Sequence, residues 1–182
     1  GKDLLNGKRF DKGGYILTYD YDKWSFIDPK EAQKKLNLPR NPRDYTSIAV
    51  TTDDSNDEIV YASSMGDGVI QYKNGTPVQS YNEKNAFKET AGGYGSGYCY
   101  IDGLAFDKNG NLWMTSSEVN HAVLVLDKAG AWHRLDIEQL RGVYTINDIL
   151  ITSTNDKWIY VPRNTPKLVM IPNSESLDEV SS

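Results

Sequence analysis

The sequence predicts an all-β fold, a β-propeller segment of four-stranded antiparallel meander blades, and three features predict it. Apolar residues alternate along many short runs, polar turn residues recur at matching places between those runs, and the whole pattern repeats along the chain. Twelve tyrosines and four tryptophans in a chain with little helical periodicity fit many short, half-buried strands.

The repeat is clearest in three copies. SIAV (47–50), EIVYAS (58–63) and GVIQY (68–72) match GLAF (103–106), NLWMTS (111–116) and AVLVL (122–126), and both match DILI (148–151), KWIYV (157–161) and KLVMI (167–171). Between first and second strands lie polar turns at 53–57, 107–110 and 153–156, rich in the Asp, Asn, Ser and Gly that close hairpins. A fourth strand follows in two copies, TPVQSY (76–81) after Lys73-Asn74-Gly75 and WHRLDI (132–137) after 127–130. The N-terminal YILTY (15–19) and WSFID (24–28) read as the third and fourth strands of one more unit.

Tyr19, Tyr72 and Leu126 stand 53 and 54 residues apart, and Leu126 and Ile171 stand 45 apart. Four strands in a period of roughly 40–50 residues is the repeat of a propeller blade. The chain is therefore read as one propeller segment, with a half blade at 15–28 and blades at 45–81, 100–137 and 146–172. In the third copy the fourth strand is missing or lies beyond Ser174.

Two longer connections interrupt the repeat. Residues 29–44 hold a short helix over Glu31–Leu36, closed by Pro39 and Pro42, and residues 82–99 hold the glycine-rich run AGGYGSGYCY. Both join a fourth strand to the next first strand, so both should emerge on one face of the assembly, and a partner is expected there.

Composition narrows the function classes. Net charge is −5, with 20 basic and 25 acidic residues interspersed, which leaves no electropositive stripe for nucleic acid. No apolar run approaches the roughly 20 residues of a membrane span, and the first residues show neither a basic n-region nor an apolar h-region. Cys99, the single cysteine, has no second cysteine for a disulfide or a CxxC site.

DGLAFDKNGNLWMTS (102–116) and YASSMGDGVIQYKNGTPVQSYNEKN (61–85) resemble the two-component-regulator propeller repeat, found in hybrid sensor proteins and in propellers associated with type IX secretion. The resemblance implies a periplasmic or cell-surface module that binds a protein or glycan, without catalytic residues, metal or cofactor. The stretch IDGLAFDKNGNLW is also similar to gluconolactonase-like propellers, which implies an alternative: a metal-dependent lactonase-like or lyase-like enzyme with Asp102 as a metal ligand. That family also needs a Glu and an Asn from other blades, and no motif here places them. In the bland reading, Asp102-Gly103 and Asn147-Asp148 satisfy strand ends.

The remaining motifs favour binding over chemistry. The acidic turn at 53–58 spaces oxygens as a calcium loop does, yet lacks the glycine at its sixth place and the closing Glu, so it reads as a solvated hairpin. The histidines His121 and His133 fall in different radial zones, which disfavours a paired role. The run 92–98 lacks the Lys-Ser/Thr of a phosphate loop and leads into a strand. Its tyrosines suit adaptable contacts, which makes Tyr94, Tyr98 and Tyr100 the candidate ligand-binding residues. Trp113 and Trp158 are expected to pack between blades, and Trp24 and Trp132, nearer the outer edge, to pack in the core in preference to partial exposure. Finally, about three and a quarter blades would leave open apolar faces near Tyr15–Ile27 and Lys167–Ile171, so the chain should pair with a second copy or form part of a larger ring.

Overall fold

In a computed structural model, which describes residues 15–88, 90–91, 97–163, 165–173 and 177, the regular structure is mostly antiparallel sheet, with one α-helix among the described residues. The first pair of strands, β1 (Ile16–Asp20) and β2 (Lys23–Ile27), forms a hairpin. A first four-stranded meander follows, of β3 (Tyr45–Thr52), β4 (Glu58–Gly66), β5 (Gly68–Lys73) and β6 (Thr76–Tyr81). A second contains β7 (Cys99–Phe106), β8 (Leu112–Ser116), β9 (Val123–Leu126) and β10 (Trp132–Leu135). A third has β11 (Asp148–Ile151), β12 (Lys157–Val161) and β13 (Lys167–Ile171). A fourth strand beyond residue 174 falls outside the described residues.

Successive side chains of a strand point to opposite faces, and here both faces are apolar. Each sheet therefore feeds two cores. Leu112 and Met114 of β8 join Val69 and Ala49 in a core between the first and second meanders, while Trp113 of the same strand joins Ile149, Ile159 and Ile171 in a core between the second and third. A further core holds Val60, Ala62, Ile70 and Tyr72 against Ile16 of the first hairpin and Ala32 of the helix. The helix, α1 (Pro29–Leu36), starts where Asp28 accepts a hydrogen bond from the Lys30 N–H at 2.9 Å and stops at Asn37, which adopts a left-handed φ of 51°.

Turn chemistry repeats with the strands. The carboxylate of Asp53 accepts from the N–H groups of Ser55 and Asp57, and that of Asp107 accepts from Asn109 and Asn111. In the third copy the residue in this role is Thr152, whose hydroxyl accepts from the Asp156 N–H at 3.0 Å. A shorter side chain thus does the work of the aspartate, and the hairpin survives the change of sequence.

First strands lie side by side, β3 against β7 and β7 against β11. Between them the contacts are polar. Thr46 Oγ1 donates to the Ile101 carbonyl at 2.7 Å, Ser63 Oγ donates to the Asp102 carbonyl at 3.2 Å, and the Leu104 N–H donates to Ser47 Oγ at 3.2 Å. Backbones approach closely there: a Cβ on Gly103 would lie 2.6 Å from the Ile149 nitrogen.

Two tryptophans depart from expectation. Trp24 is 66% exposed and Trp158 39% exposed, because each points away from the last described sheet at its end of the molecule. Trp113 is buried, and Trp132 packs edge-on against Tyr81 and Phe87, both at 5.5 Å between ring centroids.

Gly103→Ala tests the convergence of the first strands. Because the new methyl meets backbone rather than a movable side chain, a loss of about 1–3 kcal/mol is expected, read as a lower midpoint in urea denaturation with an unchanged slope.

Candidate functional site

The two long connections meet. Leu38, Pro39 and Arg40 from one, and Asn82, Glu83, Lys84 and Gly97 from the other, line a cavity of about 150 Å³ whose floor is Gly66-Asp67 at the β4–β5 turn. The sequence explains the floor. Gly66 and Gly68 have φ of 111° and 82°, a region that side chains rarely enter, and a Cβ at Gly66 would lie 2.7 Å from the Tyr98 ring. Glycine on either side of Asp67 lets both connections close over the turn.

Asp67 ties the walls together. Its carboxylate accepts from Arg40 Nε at 2.7 Å and from the Arg43 N–H at 3.2 Å, and Ser64 Oγ stands 3.4 Å away. Arg40 is half-exposed, so one face of its guanidinium is held while the remainder is open to the cavity. On the opposite wall, Asn82 Oδ1 accepts from the Lys84 N–H and Asn85 Oδ1 from the Asn82 N–H, which fixes the turn that presents Glu83 and Lys84. Cations and carboxylates thus face one another across a polar opening, with the half-buried Tyr98 ring packed on Gly66.

Of the three candidate tyrosines, Tyr94 lies outside the described residues. Tyr98 packs on Gly66 of the cavity floor without lining the cavity, and Tyr100 is buried, its ring 6.3 Å from that of Tyr98 and nearly perpendicular to it. Tyr100 backs the Tyr98 ring. Residues 38–40, 66–67 and 82–84 were not singled out by sequence, although Gly66-Asp67-Gly68 and Tyr81-Asn82 stood in a stretch already marked as part of the repeat. Nearby, Cys99 is buried, and burial pushes its thiol up to about 12, which leaves it largely protonated and unreactive at neutral pH.

The other motifs resolve into structure. Lys73 Nζ sits 2.7 Å from Asp53 and 2.8 Å from Asp57, so the acidic turn holds a lysine ammonium where a calcium loop would hold its ion. That contact holds both carboxyls below their usual range. His133 Nε2 pairs with Asp127 at 2.9 Å, whereas His121 lines a small separate cavity with Phe87 and Arg134.

Asp102 is buried beside the first strands and accepts from Ser117 Oγ at 2.9 Å; the same oxygen accepts from the Ile146 N–H at 2.8 Å. Burial, opposed by the Ser117 hydrogen bond and helped by the nearby Asp148 charge, pushes the Asp102 carboxyl up to about 7. Among the described residues no group of three or more His, Cys, Asp or Glu side chains is placed to hold a metal ion.

The solved structure of PorZ, described as an essential bacterial surface component of the type IX secretion system of Porphyromonas gingivalis, superposes on 90% of this chain with a TM-score of 0.79 at 21% identity. The chain shares the PorZ fold. It spans 22% of that PorZ chain. The extracellular domain of BT4673, a proposed one-component system of Bacteroides thetaiotaomicron, matches 68% of the chain at 16% identity and a TM-score of 0.50, covering 16% of its own length. These are the two kinds of protein, secretion component and sensor, that the repeat resemblance named. No protein-family model matches the sequence, and no curated protein does.

Asp102 gives a pH prediction with a definite sign. Unfolded, the carboxyl titrates near 3.8, and folded near 7, so between these values the folded chain holds a proton that the unfolded chain has lost. Stability should therefore fall as pH rises through that window and level off above it. Asp102→Asn keeps the acceptor for Ser117 and removes the titration. Its unfolding free energy, read by urea denaturation at each pH, should match wild type near pH 3.5 and exceed it near pH 8, by at most about 1.4 kcal/mol per unit of pKa difference.

Proposed function

We propose that the chain is a non-catalytic, extracytoplasmic propeller-like module whose loop face binds a polar ligand, a glycan or a hydrophilic protein segment, in the cavity between the two long connections. The observation that carries this reading is the meeting of residues 38–40 and 82–84 over Gly66-Asp67. Loops on a rigid sheet scaffold are where binding residues accumulate, and here two of them converge on one opening.

The chemistry suits a hydroxyl-rich partner. Arg40 and Lys84 donate and Asp67 and Glu83 accept, while the Tyr98 ring supports the floor by packing on Gly66. A mixture of both charges in one small opening disfavours a purely anionic or purely cationic ligand, since either would meet a like charge. Cell-surface or periplasmic placement rests on the fold shared with a surface secretion component and with an extracellular domain. In the alternative lactonase-like reading Asp102 would hold a metal, whereas its carboxylate is engaged by Ser117.

Binding of the purified chain to an oligosaccharide array, with hits followed by calorimetric titration, tests the reading. Glu83→Ala and Lys84→Ala should each weaken a hit by more than 1 kcal/mol, about fivefold or more, without lowering the melting temperature enough to unfold the chain. Undiminished binding by the double variant would move the site away from this cavity.

A further inference from the structure

A second, smaller cavity opens at the end of β8, and its polar lining is cationic. Ser116, Lys88, His121 and Arg134 surround about 10 Å³, room for roughly one water-sized atom, with Phe87 and Leu124 as an apolar wall. Lys88 comes from the second long connection, His121 from the β8–β9 turn and Arg134 from β10. Among the described residues no carboxylate lines this cavity. Asp136, whose charge acts on His121, is held on both oxygens by Arg141, and Glu118 lies outside the lining with its N–H bonded to the Val143 carbonyl.

Two polar groups here lack partners among the described residues. Ser116 is 4% exposed and its N–H donates to the Ala122 carbonyl, yet its hydroxyl makes no hydrogen bond. Arg134 donates to the Ala86 carbonyl, but its Nε is buried without an acceptor. Buried polar groups are nearly always paired, so unpaired ones mark the place of a missing acceptor.

The repeat shows what kind of acceptor fits. Strand pairing sets Tyr61 and Trp113 opposite Ala49 and Ala105, so Ser64 of β4 matches Ser116 of β8. Around Ser64 the first meander gathers a carboxylate and cations from the connection before it: Ser64 Oγ stands 3.4 Å from Asp67 Oδ2, and Asp67 also meets Arg40 and Arg43. The second meander keeps the serine and the cations. Val119 follows Ser116 at the interval at which Asp67 follows Ser64, and it brings no carboxylate.

We propose that the cavity at Ser116 binds the carboxylate group of an external ligand, one oxygen entering toward the Ser116 hydroxyl and the other staying at the mouth with Lys88 and His121. The wall of Phe87 and Leu124 suits the carbon that bears a carboxylate, whereas a phosphate carries three strong acceptor oxygens and would leave some facing apolar groups. This site is separate from the cavity over Gly66-Asp67, and the inference stands whether or not that cavity binds a ligand.

Titration of the chain with sodium acetate, followed by amide NMR at an ionic strength held constant with sodium chloride, tests it. The signals of Ser116, Val119 and Leu124 should shift saturably. Lys88→Ala and Ser116→Ala each remove a donor to a charged group and should weaken acetate about tenfold, whereas Lys84→Ala, in the other cavity, should leave it unchanged. Lys88 is exposed and the Ser116 hydroxyl bonds to no described residue, so both variants should keep the wild-type melting temperature. Shifts that are absent or do not saturate overturn the proposal, as do shifts that sodium phosphate reproduces at equal concentration and undiminished binding by both variants. Saturable binding that appears only in Glu89→Gln also overturns it, because the carboxylate would then be the chain's own.

Discussion

Every feature of this chain depends on one constraint: its sheets are apolar on both faces and can bury those faces only against other sheets. A strand such as β8 sends Leu112 and Met114 one way and Trp113 the other, so no single meander has an inside and an outside. Burial is worth roughly 25 cal/mol per Å² of apolar surface, and each sheet collects it from two neighbours. Stability is then a chain of nearest-neighbour contacts. Loss of one contact weakens two sheets, and an end sheet always has one face unpaired. The same constraint explains why the first hairpin, with two strands, protects β5 through Ile70 and Tyr72 yet leaves Ile48 and Val50 on β3 open.

Sequence alone disclosed most of the strands, because period-2 alternation and hairpin turns are local properties. Asp53 and Asp107 announce their turns directly, and Asn37 ends the helix one residue after the expected Leu36. What sequence could not disclose was exposure at the ends. Trp113 and Trp158 sit in matching strands with matching patterns, and only the presence of a following sheet makes one buried and the other exposed. The cavity was hidden for a similar reason. Its residues come from three separated stretches, and the glycines that permit its floor looked like repeat punctuation rather than part of a site. The tyrosine run drew notice through composition, yet Tyr100 faces inward because β7 begins at Cys99 and pairs back onto Met65 and Gly66.

Polar chemistry in this molecule follows a division by radius. Between outer strands the cores are apolar, and among the described residues the buried cation is Lys157, which lies over Trp113 and has its charge favoured by the nearby Asp107. Burial lowers its pKa, so the ring and the carboxylate together offset a desolvation that neither would offset alone. Between first strands the spacing is too close for large side chains, as Gly103 shows, and the contacts become hydroxyls on carbonyls.

That inner zone bears on how an acidic residue at a strand start should be read. Asp102 has the attributes that commonly mark a catalytic or metal-binding group: it is buried, sits at the end where strands converge, and has a raised pKa. Its surroundings give those attributes a structural cause. Thr115 accepts from the Gly103 N–H, Ser117 links Asp102 to the backbone of Ile146, and Ser63 reaches the Asp102 carbonyl, so the residue closes a network that ties β7 to β4, to β8 and to the segment leading into β11. A protonated carboxyl serves that network as well as a charged one and costs less to bury. Sited next to backbone pairs that must approach within a glycine's width, a short side chain able to bond to a neighbouring loop fills space that a larger residue would not fit. The raised pKa is thus what burial among the inner strands produces, opposed by the Ser117 hydrogen bond and helped by the nearby Asp148 charge.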